Sequence, residues 1–394
     1  MSARRNDADS RERDLWFRAF REQSIDPISL GDGEGWSKPL GGGRSGASAA
    51  LFLTTIGPVG TADSIVLKWD SLSKVRDEAE ARRGRSDQAD NVDYLRGRGA
   101  SHIAFRMHPR RKELFGIIAY KYEGVSSPKD EQNVADFEEL LQIWNATDGG
   151  FHDKTLRTLF ENTITYFVPR ESESDSVTPP TVATRALPDL KRDEYLKKAR
   201  PVLRKAGLDT QLLTSVEKWW TDVVHKQSTP SFPDSRLVHG DPRFANILVD
   251  LAENRVTLID FGAGERGRHV FHDLARFEVD LVFRTTAIDA DIDRTQEIQE
   301  RVDLLLREVA AVPMGAGDPR VRPVEIWRGV RDAFFPVIAL VPGFGVRKLY
   351  ALFFMNELLR RLKWHSDGNS DIDVGATVPE LWLAMNRVLE KVPA

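Results

Sequence analysis

A short polar pattern in the second half of the chain has the residue types of a phosphate and metal site. The stretch RLVHGDPRFANILVD contains Asp241 and, five positions later, Asn246, and the nearby stretch VTLIDFGAG contains Asp260. Phosphoryl transfer requires a carboxylate beside the attacking hydroxyl and metal ions held between the phosphate oxygens. The pattern therefore predicts that Asp241 accepts or orients the proton of an acceptor hydroxyl. Asn246 and Asp260 are the predicted ligands of the metal.

Two features earlier in the chain could hold a triphosphate. Lys68 ends the strand-like run SIVLK and would place a point charge on the phosphates. The loop GGGRSG lies upstream of it, and its backbone can approach phosphate closely at Gly42, Gly43, Ser45 and Gly46. Taken alone, such a loop could be a flexible turn and such a lysine a solvated charge. The order of loop, lysine, base and metal ligands along the chain is nevertheless the order that a kinase requires.

Apolar periodicity predicts a β-rich first part followed by a mainly helical one. Four strand-like runs are LFLTTI, DSIVLKWD, HIAFRMHP and LFGIIAYKYEG, and a charged helical pattern extends from Ser71 to about Gly99. The pattern is again helical between Val125 and Val168. Two short strands are predicted around Val238 and Leu258, and helices follow at TQEIQERVDLLLREVA and YALFFMNELLRRLKW.

These patterns predict an α+β fold in three parts. Residues 1–35 form an N-terminal helical extension, and residues 36–124 form a lobe with the glycine-rich loop and the lysine strand. Residues 125–394 form a larger helical lobe that contains the catalytic loop. Within it, residues 169–190 are rich in Pro, Ser and acidic side chains, a composition typical of an exposed insertion.

Composition excludes several other classes of protein. The chain has 394 residues and no cysteine, which rules out disulfides, thiolate zinc sites and a cysteine nucleophile. The N-terminus lacks an apolar leader, and no run approaches the roughly 20 apolar residues of a membrane span, so we expect a cytoplasmic protein without a membrane partner. The net charge is -4 and basic residues alternate with acidic ones, so no nucleic-acid partner is expected.

The motifs resemble those of the aminoglycoside phosphotransferase and choline kinase-like family, a branch of the protein kinase-like fold. The family's His-Gly-Asp, followed by four residues and Asn, corresponds to HGDPRFAN at 239–246. Its Ile-Asp-Phe and Asp-Leu-Ala correspond to residues 259–261 and 273–275, and the resemblance extends roughly from Leu40 to Phe283. It implies a bilobal fold, ATP and Mg²⁺ as cofactors, and transfer of the γ-phosphoryl group to a hydroxyl of a small molecule.

The resemblance also implies roles for residues that the motifs leave open. The strand lysine of such kinases pairs with a glutamate on the next helix, which is Glu78 or, as the alternative, Glu80. The base of the nucleotide, ATP or GTP, lies at the hinge near Tyr120–Gly124, and Tyr122 is expected to contact it. Arg243, two positions after the catalytic aspartate, is expected to contact the transferring phosphoryl group.

Other functions remain alternatives. The long middle segment, the loop Ser172–Pro188 and the charged N-terminal extension could be interaction surfaces. The chain would then be a catalytically weak, nucleotide-binding signalling or scaffolding module of a bacterial conflict or regulatory system, with a protein partner. The run HVFHD could suggest the metal ligands of a phosphohydrolase, although the resemblance already explains its Asp273. We expect His239 to brace the catalytic loop, and Trp219 and Trp220 to be core or interface aromatics.

Overall fold

A computed structural model describes the chain in sixteen ranges, to which all structural statements below apply. They are residues 37–40, 48–54, 63–71, 102–105, 115–122, 134–137, 139–141, 153–167, 190–226, 239–251, 254–258, 271–284, 294–306, 321–338, 346–368 and 374–394. The chain divides into two compact units. A β unit is formed by Met1–Asp136 with Ala245–Gly264, and a helical unit is formed by Phe137–Phe244 with Glu265–Ala394.

The β unit contains a five-stranded antiparallel sheet. Its strands are β1 (Ser37–Leu40), β2 (Ser48–Thr54), β3 (Asp63–Ser71), β4 (His102–Phe105) and β5 (Phe115–Tyr122). They are arranged in the order β1-β2-β3-β5-β4. The four runs predicted as strands are β2 to β5, in agreement with their content of β-branched and aromatic residues. Lys68 lies in the central strand β3, opposite Ala49 of β2 and Ile118 of β5.

A second sheet of the β unit joins distant parts of the chain. It consists of β6 (Val134–Asp136), β7 (Ile247–Asp250) and β8 (Arg255–Leu258), in that order and antiparallel. The prediction of helix throughout Val125–Val168 is therefore wrong at β6. Periodicity cannot identify a strand of three residues, because its structure depends on pairing with β7 far along the chain.

Eight helices of the helical unit have described bounds. They are α1 (Asp153–Phe167), α2 (Arg192–Lys205), α3 (Gln211–Lys226), α4 (Phe271–Phe283), α5 (Arg294–Leu306), α6 (Arg322–Ile338), α7 (Val346–Ser366) and α8 (Val378–Lys391). Helix α8 begins with a capping box, in which Thr377 Oγ1 accepts the backbone N–H of Glu380 and the Glu380 carboxylate accepts that of Thr377. The helices predicted from TQEIQERVDLLLREVA and YALFFMNELLRRLKW are α5 and α7.

Aromatic side chains form the core of the helical unit. The ring of Phe277 on α4 lies 4.4 Å from Trp327 on α6 and 5.3 Å from Phe244, measured between centroids. Phe137 and Phe160 stack at 5.8 Å beside them. Such pairs contribute about 0.5–1.5 kcal/mol beyond burial of their surface. Since Phe244 immediately follows Arg243, this core also anchors one end of the predicted catalytic loop.

Other predictions have simpler outcomes. Trp219 and Trp220 are buried, as predicted, and the indole N–H of Trp219 donates to the carbonyl of Val392 at 2.6 Å. Within the described ranges, no helix is both long and apolar enough to cross a membrane. Several predicted elements lie outside the described residues: the N-terminal helical extension, the helix after Ser71, the strand around Val238, and the insertion 169–190 apart from Leu190.

Candidate functional site

The loop that contains Asp241 is held by a buried carboxylate at its start. Asp273, in the first turn of α4, accepts the backbone N–H of His239 at 2.6 Å and that of Gly240 at 2.9 Å. Gly240 has φ of 83°, a conformation that side chains with a Cβ rarely adopt. The ring of His239 is fully buried, and its Nδ1 accepts the backbone N–H of Asp241 at 3.2 Å. His239 therefore braces the loop, as expected. The carboxylate of Asp273 holds the backbone of the same loop.

A second aspartate of α4 holds the end of the same loop. Asp280 accepts the backbone N–H of Phe244 at 2.9 Å. Its carboxylate also pairs with Arg361 of α7 and, at 3.2 Å, with Arg284. Burial would raise the pKa of Asp280, but the two guanidinium groups and the backbone N–H hold this pKa below its usual value. Asp280 is therefore ionised, and it connects the loop to α4 and α7.

Three arginines surround the carboxylate of Asp241. Arg243 Nε donates to Asp241 Oδ2 at 2.9 Å, while Arg276 and Arg360 approach Oδ1 to 3.6 and 3.7 Å. Burial alone would raise the pKa of Asp241, but the charges of the three arginines hold it far below its usual value. The carboxylate is therefore ionised throughout the neutral pH range and can accept a hydrogen bond from a hydroxyl.

Residues of α7 complete this cluster, and the sequence reasoning missed them. Arg360 makes two hydrogen bonds of 2.6 Å to the buried carboxylate of Glu357, and its guanidinium carbon lies 4.1 Å from the ring centroid of Trp364. Helix α7 packs against α2 and α4, which brings these side chains to Asp241. One signal could have found them: in NELLRRLKW the three residues have the spacing of a single helical face, directly after the apolar run YALFFM.

The remaining predicted site residues are only partly described. Arg243 pairs with Asp241, and its guanidinium carbon lies 6.0 Å from the Trp364 ring centroid. Asn246 is buried at the end of a 3₁₀ helix, Phe244–Asn246, that leads into β7. Tyr122 is the last residue of β5, and nothing is described of its side chain or that of Lys68. The predicted site residues outside the described ranges are Gly42, Gly43, Ser45, Gly46, Glu78 and Asp260.

The segment that contains this loop matches a known family. Residues 174–295 match the family model described as the phosphotransferase enzyme family. This interval includes Asp241, Asn246, Asp260 and Asp273. No curated protein matches the chain significantly.

Three solved structures are similar to the chain at low sequence identity. A glucosamine kinase in complex with glucosamine, ADP and inorganic phosphate has 13% identity and a TM-score of 0.44, over 87% of this chain and 81% of that one. Another crystal form of glucosamine kinase has 14% identity and a TM-score of 0.45, over 92% and 84%. An aminoglycoside phosphotransferase from Streptomyces rimosus has 14% identity and a TM-score of 0.31, over 80% and 97%. With the family match at residues 174–295, the predicted resemblance to the aminoglycoside phosphotransferase and choline kinase-like family is confirmed.

Proposed function

We propose that the protein is a magnesium-dependent phosphotransferase that moves the γ-phosphoryl group of ATP to a hydroxyl group of a small molecule. The observation that carries this proposal is the position of Asp241. Its carboxylate is kept ionised by Arg243, Arg276 and Arg360, on a loop that α4 holds at both ends. That loop lies within the segment that matches the phosphotransferase family.

In the proposed reaction, Asp241 orients the acceptor hydroxyl. The hydroxyl oxygen attacks the γ-phosphorus while the bond to the β–γ bridging oxygen breaks, and ADP leaves with that oxygen. A carboxylate with a strongly lowered pKa is a weak base, so it positions the hydroxyl first and receives its proton as the new P–O bond forms. Positioning is the larger part of this contribution, since a phosphoryl transfer of this kind needs little covalent help from the protein.

The nucleotide and the metal are assigned to the remaining motif residues. In the proposed complex, the glycine-rich loop and Lys68 would hold the phosphates, Glu78 would pair with Lys68, and Tyr122 would lie by the base. Asn246 and Asp260 would hold Mg²⁺, which would neutralise charge on the phosphate oxygens. One amide oxygen and one carboxylate are hard oxygen donors, and this donor set fits Mg²⁺.

The test is phosphoryl transfer from labelled ATP to a panel of hydroxyl compounds, combined with calorimetric titration of magnesium and a non-hydrolysable nucleotide. Asp241→Asn should keep nucleotide and metal binding but lose transfer, because this carboxylate contacts the acceptor. Asn246→Ala should raise the magnesium requirement and retain turnover at high metal, whereas Asp260→Ala should show none at any magnesium concentration. Asp193→Asn makes the same chemical change at an exposed position of α2 and serves as the control.

Two results would contradict the proposal. A folded wild-type protein that gains no thermal stability from magnesium and nucleotide does not bind them and is no kinase. If Asp241→Asn weakens nucleotide binding as severely as Asp260→Ala, the roles assigned to the two aspartates are wrong. Tight nucleotide binding without transfer to any acceptor would favour the signalling or scaffolding alternative.

A further inference from the structure

Among the described residues around Asp241, the pairing of charges leaves one arginine without a hydrogen-bonded carboxylate. Arg360 donates to the Glu357 carboxylate from Nε and Nη2, both at 2.6 Å, and Arg243 donates to Asp241 at 2.9 Å. Arg276 lies between the two carboxylates, 3.4 Å from Glu357 and 3.6 Å from Asp241. These distances allow electrostatic attraction but exceed ordinary charged hydrogen bonds.

Burial makes this arrangement unfavourable for Arg276. The residue is only 7% exposed, and within the described part of the chain its Nε and Nη1 are buried without a hydrogen bond. Burial, followed by repulsion from Arg360, lowers the pKa of Arg276 to about 10. The carboxylate of Asp273 also attracts Arg276, but its oxygens accept the backbone N–H groups of His239 and Gly240. A buried guanidinium with unused donors is a group that an oxyanion would stabilise.

In addition to the proposed phosphotransferase activity, we propose that Arg276, supported by Arg360, binds an oxyanion group of the acceptor. The acceptor is then a small hydroxylated carboxylic acid or phosphate monoester. One edge of the planar guanidinium matches either group through two parallel hydrogen bonds, one from Nη2 and one from Nε or Nη1. Since Arg276 lies 3.6 Å from the carboxylate that orients the hydroxyl, oxyanion and hydroxyl must be only a few bonds apart. This inference rests on the proposed phosphotransferase function.

The same cluster disfavours amino sugars and other cationic acceptors. A cation placed beside Asp241 would face the three guanidinium groups of Arg243, Arg276 and Arg360 at short range. Like charges about 4 Å apart repel by several kcal/mol at the effective dielectric constant of a partly buried site. The carboxylates of Asp241, Glu357 and Asp273 offset part of this repulsion, but they already pair with arginines or accept backbone N–H groups.

The first test compares acceptors that differ mainly in charge. Transfer from ATP is measured with glycerate, glycerol phosphate, glycerol and glucosamine, for wild type, Arg276→Gln, Arg276→Lys and Arg157→Gln. Arg157 is a half-exposed arginine of α1 and provides the same charge change away from the cluster. We expect wild type to prefer an oxyanion acceptor and Arg276→Gln to raise its KM at least about tenfold, the loss of roughly one charged hydrogen bond. KM for ATP should not change, Arg276→Lys should recover part of the loss, and Arg157→Gln should resemble wild type.

The second test requires no nucleotide. Thermal unfolding is followed with increasing glycerate or inorganic phosphate, with potassium chloride at matched ionic strength as the reference. We expect both anions to raise the Tm of wild type and Arg157→Gln, but not that of Arg276→Gln. The stronger of the two shifts identifies the acceptor's oxyanion as a carboxylate or a phosphate.

The outcomes separate the two proposals. Equal transfer to neutral or cationic acceptors, with anion stabilisation unaffected by Arg276→Gln, would overturn the oxyanion site and leave the phosphotransferase standing. Anion stabilisation that depends on Arg276, without any nucleotide binding or transfer, would confirm the anion site but refute the phosphotransferase, and with it the anion's role in an acceptor.

Discussion

Asp273 and Asp280 lie two helical turns apart on α4 and hold opposite ends of the loop that contains Asp241. Seven residues of α-helix correspond to about 10 Å along the axis, so the distance between the two anchoring points is set by a single rigid element. One end of the loop is fixed by the N–H groups of His239 and Gly240, and the other by that of Phe244. The position of the Asp241 carboxylate is therefore determined by backbone hydrogen bonds as well as by its own side-chain contacts.

The first prediction concerns the anchor at Asp273. Asp273→Ala leaves two buried N–H groups without an acceptor, and we expect it to lower the free energy of unfolding by about 2–5 kcal/mol. Asp273→Asn retains one side-chain oxygen and should lose about half as much. Urea denaturation followed by circular dichroism measures both values, with Asp193→Ala as an exposed control. Equal losses for the two substitutions would show that the paired acceptor is not what stabilises the loop.

The second prediction concerns backbone conformation at Gly240. Its φ of 83° disfavours any residue with a Cβ, so Gly240→Ala should destabilise the protein by about 1–2 kcal/mol. Gly329 lies in helix α6 with open space where the methyl group of an alanine would lie, and Gly329→Ala should instead stabilise by about 0.5–1 kcal/mol. Chemical denaturation of the two variants compares them directly. A stabilising effect at Gly240 would mean that the loop can abandon the left-handed conformation at no cost.

The third prediction concerns the acid dependence of stability. Because the folded-state pKa of Asp241 is lowered, its stabilising contribution is complete above the usual aspartate pKa and is lost as the pH falls below it. The stability difference between wild type and Asp241→Asn should therefore shrink by about 1 kcal/mol for each pH unit below about 4. Urea unfolding between about pH 3 and 6 tests this, since other titrating groups largely cancel in the difference. A difference that stays constant with pH would contradict the assignment.

The fourth prediction concerns the buried carboxylate of Glu278 on α4. It accepts hydrogen bonds from Trp327 Nε1 at 2.7 Å, from Arg331 and from the hydroxyl of Tyr350. Tyr350→Phe removes one donor to a buried carboxylate and should lower the free energy of unfolding by about 1.5–3 kcal/mol.

A second hydroxyl deletion provides the comparison. Thr163→Val removes a buried hydroxyl that donates to the neutral carbonyl of Leu159 at 2.8 Å. We expect it to lower the free energy of unfolding by about 0.5–1.5 kcal/mol, less than Tyr350→Phe, because its acceptor is uncharged. Thermal and urea unfolding of both variants give the order. The reverse order would indicate that the Glu278 carboxylate is protonated in the folded protein, since burial raises its pKa.

Local patterns were sufficient to predict the loop and most elements. The β-branched runs became β2 to β5, and the apolar periods of α5 and α7 became helices, because these elements follow from neighbouring residues. The loop was recognisable because its residues, from His239 to Asn246, lie together in the sequence. The role of Asp273 as the loop's anchor depends on a contact over 34 positions, although the motif pattern had already singled it out.

The arginine cluster was not predictable in the same way. Arg360 and Glu357 lie more than a hundred residues after Asp241, and charged residues on a helix are normally solvent-exposed. Only the packing of α7 on α4 and α2 buries them beside the loop. Similarly, the strand conformation of β6 comes from its pairing with β7, which the local helical pattern does not indicate. Both failures arise where tertiary contacts, and not local preference, determine the environment of a residue.

The C-terminal end of α8 accepts hydrogen bonds from side chains of two other helices. Trp219 of α3 donates to the carbonyl of Val392, and Arg347 of α7 donates to that of Lys391 at 3.0 Å. Terminal turns usually fray, and their amide protons exchange quickly with solvent. Here fraying would break both hydrogen bonds and expose the Trp219 indole, so this turn should open only together with α3 and α7. Slow hydrogen exchange of its amide protons would show that the last turn of α8 unfolds together with the core of the helical unit.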